Sequence, residues 1–135
     1  MPETAPHVQI IQAAVPATAT AGNAASFVIG KAPFAAKVTA ASYIAAGNIT
    51  GHASNNRVFS VINAGAAGSG STSVAAVTTN TSNDFTAFDE KALALSGTAA
   101  NLEVAAGDVL KFSSAVGASG VADPGGVVTV TLSGI

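Results

Sequence analysis

Near its end the chain reads Val128, Val130 and Leu132 alternating with Thr129, Thr131 and Ser133. A strict two-residue period of this kind fits an extended strand with one face turned inward and the other toward water. The period recurs at Leu93 and Leu95, at Leu102 and Val104, and at Leu110 and Phe112, with Glu103 and Lys111 standing between the last two pairs. Upstream, Val8 and Ile10, Phe27 and Ile29, Val38 to Ile44, Arg57 to Ile62 and Ser73 to Val77 are β-branched or aromatic segments of strand length. The expectation is about eight or nine strands. Alanine raises the objection of a helical bundle, because 31 of the 135 residues are alanine and alanine is the best helix former. The large apolar residues decide against it, since they recur at two and not at three and four.

Turn-forming residues punctuate these segments. They fall at Gly22-Asn23, Gly30 to Pro33, Gly47-Asn48, Gly51, Gly65 to Gly70, Gly97, Gly107-Asp108 and Gly117 to Gly126. Asp123-Pro124-Gly125-Gly126 fits a type II turn, with proline presetting the second position and glycine accepting the positive φ of the third, so a final strand should start just after it. The fold class is therefore all-β: an antiparallel β-sandwich or small barrel, with jelly-roll and immunoglobulin-like topologies not separable by pattern. Residues 1–22 carry three of the five prolines and a run of small residues and are read as an N-terminal arm, with 23–135 as a single sandwich-like domain. Within the arm, the apolar patch Val8, Ile10 and Ile11 is a candidate partner contact, adding a strand to a neighbour's sheet. The plainer alternative is an edge strand of its own domain behind a frayed end.

Charge excludes several functions. Five basic and seven acidic residues, 9% of the chain, leave a net charge of −2, which gives no footprint for a phosphate backbone and no expected nucleic-acid partner. With no cysteine there is no thiolate metal site or cysteine nucleophile, and His7 and His52 share no metal-ligand spacing. No apolar run reaches the roughly 18 residues of a membrane span, and the first residues lack the features of a secretion signal. So low a charge density points to a surface that faces another protein.

Motifs for chemistry are equally thin. Asp84, Asp89 and Glu90 do not match a calcium loop, and Phe85 and Phe88 between them read as anchors of a long connection. The segment Gly65 to Thr72 lacks the Gly-Lys-Ser/Thr ending of a phosphate loop and reads as a flexible hairpin. No serine sits in a nucleophile elbow. Arg57, the sole arginine, could clamp a carboxylate such as Asp108 or Asp123 within the domain, or reach one on a partner. No catalytic residue, cofactor or metal is expected.

The runs Ser42 to Gly51, Asn55 to Gly65, Val104 to Leu110 and Gly120 to Val130 resemble small proteins encoded among the head genes of tailed bacteriophages, especially those of actinobacteria, a family associated with capsid decoration. The matching stretch spans residues 40–132, about two-thirds of the chain. The resemblance implies a β-rich structural protein that binds the major capsid protein on the outer surface of the virion, is assembled in the host cytoplasm and clusters as a homotrimer. It brings no catalytic residue. Two rivals come from other classes: a glycan- or receptor-binding module of a tail or fibre, for which Tyr43 is the natural stacking platform, and a small hydrolase using Asp84 with Asp89 or Asp108 with Asp123.

Overall fold

The computed structural model describes residues 7–135; the part of the arm that falls on residues 1–6 lies outside them. Ten strands follow in order: β1 (Val8–Val15), β2 (Ala25–Lys31), β3 (Ala36–Ala45), β4 (Asn56–Gly65), β5 (Thr72–Thr78), β6 (Glu90–Ala92), β7 (Ala94–Leu95), β8 (Glu103–Val104), β9 (Val109–Gly117) and β10 (Gly126–Gly134). Every pairing is antiparallel. A first sheet runs β1-β10-β3-β6, with β8 also on β3, and a second runs β2-β9-β4-β5-β7.

The register explains how the chain comes to this order. Val8 pairs with Ser133, Ala25 with Ser114, Ala36 with Val104 and Val58 with Thr78, so partners lie nearly equidistant from Gly68. The chain is one long hairpin whose tip is the glycine-rich segment 65–70, and the hairpin is rolled up. Rolling creates the second set of pairs, β10 on β3 and β9 on β4. The resulting orders β1-β10-β3-β6 and β2-β9-β4-β5 are jelly-roll connectivity, in which almost every connection crosses from one sheet to the other. Among the described residues only β4 and β5 are consecutive strands within one sheet.

The alternating residues meet between the sheets. Val128, Val130 and Leu132 face Phe59, Val61, Leu110 and Phe112 in one buried cluster. At its centre Tyr43 packs on Phe59 and Phe112 with ring centroids 4.9 and 5.0 Å away, Phe59 stacks on Phe112 at 17°, and Phe85 closes the group edge-on to Phe59. Such pairs add about 0.5–1.5 kcal/mol each beyond the area they bury. They offset the shortage of large side chains in an alanine-rich core.

Local structure departs from the sequence reading at three places. Leu93 and Leu95 do not share a strand: buried Leu93 marks the point where the chain leaves β6 in the first sheet and enters β7 in the second. Leu102 ends a 3₁₀ turn over Ala99–Leu102, with only Glu103 and Val104 in the strand that follows. Phe85 is the anchor expected of it, but Phe88 is not. It stands 80% exposed at a φ of 65°, because the chain turns there to let its N–H bond to Ala45 O at 2.8 Å. The Asp123 turn behaves as expected, with Gly125 at φ 79° and β10 beginning at Gly126.

Candidate functional site

The sequence placed Val8, Ile10, Ile11 and Arg57 as partner contacts, and the structure separates them. Residues 8–15 form an edge strand of the chain's own first sheet, hydrogen-bonded along β10. On it Val8 and Ile10 are 64% and 55% exposed. Ile11 points the other way and packs on the core; a Cβ at Gly30 of β2 would lie 2.9 Å from its Cγ2.

Arg57 is no surface group at all. It is fully buried, because β4 alternation aims it inward in line with Phe59 and Val61. Its acceptors differ from the carboxylates expected. Nε donates to Val121 O, Nη1 to Ser114 Oγ at 2.9 Å, and Nη2 to Thr20 O and Ala21 O at 3.2 and 3.3 Å. The guanidinium thus fastens the β1–β2 connection to the β9–β10 connection, and a partner cannot reach it in this fold.

Asp123 lies in the same buried region. Its Oδ1 accepts from Tyr43 Oη at 2.7 Å and from Gly125 N at 2.9 Å, while its backbone exchanges two hydrogen bonds with Thr18. Its Oδ2 has no hydrogen-bond partner among the described residues. Burial, reinforced by the hydrogen bond to Asp123 and by its negative charge, pushes the Tyr43 phenol well above its ordinary range, and Arg57 opposes this only in part. Tyr43 is completely buried, which takes away the stacking platform of the glycan-binding alternative.

Asp84 and Asp108 are also occupied in holding the fold. Asp84 Oδ1 accepts from Gly51 N at 2.7 Å, and Asp108 Oδ2 from Ala105 N at 2.8 Å and Asn63 Nδ2 at 3.0 Å. Asp84 and Asp108 thus hold connecting segments in place and Asp123 is buried on Tyr43, while Asp89 stands exposed. Among the described residues no three His, Asp or Glu side chains converge to hold a metal.

What the fold does bring together is the outer face of the first sheet. Register places Val8, Ile10, Gln12 and Ala14 of β1 beside Ser133, Thr131, Thr129 and Val127 of β10, and these beside Ala40, Ser42 and Ile44 of β3. Ala92 and Glu90 of β6 complete the row. Charge is confined to its margins, at Glu90 on one side and at the opposed Lys37 and Glu103 near one end. Between β3, β6 and β10 runs a shallow groove of about 220 Å³, lined by Ala40, Ser42, Ala92, Thr129 and Thr131. Glu90 borders it, its Oε2 held by Ser42 Oγ at 2.7 Å.

Alternation alone marked Thr129, Thr131 and Ser133 as outward. Ala40 and Ser42 carried no such signal, because a register shift between Thr131 and Leu132 against β3 resets which β3 residues face out, and Glu90 joins them only through the pairing of β6 on β3. Comparison with known protein families, with curated proteins and with solved structures finds no match to this chain.

Proposed function

We propose that this chain is a structural virion protein that decorates and stabilises a phage capsid, binding the major capsid protein in multiple copies on the outer surface of the head. The observation that carries the reading is the outer face of the first sheet, a broad surface of Ala, Ser, Thr, Val and Ile with charge only at its margins. A face of this kind adheres through close contact of small side chains, and many weak contacts on one particle sum to firm attachment. The head-gene resemblance of residues 40–132 supports the same reading. So does the use of Arg57, Asp84, Asp108 and Asp123 in holding the fold, a role that needs no reaction or cofactor.

The test is cosedimentation of the purified protein with expanded shells lacking it, using wild type and Ala40→Lys. Ala40 is exposed at the centre of the face, so lysine there leaves the fold intact and puts an uncompensated charge into the contact. Binding by wild type and a loss of about tenfold or more in the variant are expected. Failure of wild type to bind shells, or equal binding by both, overturns the proposal.

A further inference from the structure

Exposed strand edges invite pairing, and proteins guard them with short strands, charges, prolines or bulges. Among the described residues the two sheets end in four places, and three are guarded. One side of the first sheet ends in β6 and β8, of three and two residues, and one side of the second ends in β7, of two residues. The other side of the second sheet is β2, which finishes on Lys31 and slips register between Val28 and Gly30.

The fourth edge is β1. It runs eight residues, VQIIQAAV, without a charge, a proline or a register shift, and its neighbour β10 is also uncharged.

Its backbone is aimed outward in a regular row. His7 O accepts from Gly134 N at 2.7 Å, so in an antiparallel ladder the odd residues of β1 bond to β10. The N–H and C=O groups of Val8, Ile10, Gln12 and Ala14 then point away from the sheet. Among the described residues no strand pairs with them, and Ile10 O accepts from the adjacent Gln9 Nε2 at 3.3 Å.

We infer that β1 is a self-pairing edge, joining antiparallel to β1 of a second copy across a twofold axis, so that the two first sheets form one continuous sheet. Identity of the partner follows from charge and from elimination. A charge on an edge would meet its own copy across a twofold, and β1 carries none. A head-to-tail contact would need a second unguarded edge on the same chain, and among the described residues there is none, so edge pairing between copies closes only as an isologous pair. The register of greatest overlap sets Ile10 opposite Gln12 and Val8 opposite Ala14 of the second copy. It joins the two outer faces into one surface of twice the extent. This inference stands apart from the capsid reading, and it favours even-numbered assemblies over the trimers that the head-gene resemblance implies.

The experiment is light scattering coupled to sizing of the full chain, without shells, for wild type, Ile10→Pro, Ile10→Lys and Val28→Lys. Proline at position 10 removes an N–H that bonds to nothing within the chain, and lysine keeps the backbone while setting like charges in the junction. Wild type and Val28→Lys should run at twice 12.9 kDa or an even multiple, and both Ile10 variants at half the wild-type mass, all with unchanged far-ultraviolet spectra. Should Ile10→Pro unfold, Ile10→Lys decides the matter alone. A wild type that stays monomeric, as expected if the edge takes a strand from a different protein, overturns the inference. So does a trimer, or an assembly unchanged in Ile10→Lys. Shell binding by Ala40→Lys is read separately, so failure here leaves the decoration proposal standing, and the reverse also holds.

Discussion

Arg57 shows how a single position can be visible in sequence and its role invisible. Alternation within β4 places it on the inward face with Phe59 and Val61, but a charged residue there is normally excluded from a core unless its donors are met. They are met by carbonyls of residues 20, 21 and 121, which lie far from it in the chain. Arg57→Ala should therefore do more than open a cavity: it leaves the carbonyls of Thr20, Ala21 and Val121 and the Ser114 hydroxyl without their donor. A loss of about 3–5 kcal/mol is expected from urea unfolding, the sum of the cavity and the stranded acceptors, with the β1–β2 and β9–β10 connections exchanging amide protons fastest.

Tyr43 gives a prediction of the opposite kind, in which the wild type changes with pH. Its phenol is pushed above the ordinary value of 10.0 in the folded chain. The contribution is complete below pH 10. Above it the unfolded tyrosine gives up its proton while the folded one keeps it, so stability falls as pH rises, by up to ~1.4 kcal/mol per pH unit for one group. Urea titrations between about pH 9 and pH 11 should show this fall in wild type and a flatter profile in Tyr43→Phe.

At the scale of elements, β3 breaks its own two-residue period. In β3 the slip opposite Thr131 and Leu132 leaves Val38 buried on one side of it and Ala41 and Tyr43 buried on the other, so that inward positions change from even to odd. A two-residue period cannot announce a bulge, because the extra residue is set by the partner strand. Turns were more legible, since glycine and proline act within a few residues of themselves.

Their cost on substitution still depends on surroundings that only the fold supplies. Gly68 and Gly120 both have positive φ, 78° and 69°, yet a Cβ at Gly68 meets nothing within 4 Å while one at Gly120 would lie 2.1 Å from Ala21 O. Gly68→Ala should cost about 1–2 kcal/mol, the left-handed penalty alone. Gly120→Ala should exceed that by at least ~1 kcal/mol, because a backbone carbonyl must also move, and the difference is readable from paired urea unfolding curves.

On the scale of the whole molecule, the pairing of Val8 with Ser133 and of Val58 with Thr78 makes the chain a rolled hairpin around the 65–70 tip. The glycines of that tip mark a turn in the sequence. Nothing local marks it as the midpoint about which the two halves of the chain pair. The same holds for the candidate face: Thr129 and Thr131 announce that β10 has a water-facing side, but Ala40, Ser42 and Glu90 join them only once β3 and β6 are laid alongside.

Sequence by itself determined the all-β class, the antiparallel strands, the final turn and strand, and the poverty of charge, since each rests on periodicity, turn chemistry or composition, which act over a few residues. The tertiary structure alone decided the jelly-roll order, the burial of Arg57 and Tyr43, and the assembly of a face that carries charge only at its margins and ends in the unguarded edge of β1. Those depend on contacts between residues as far apart as His7 and Gly134, and a neighbour brought from that distance leaves no trace in the local pattern of either segment.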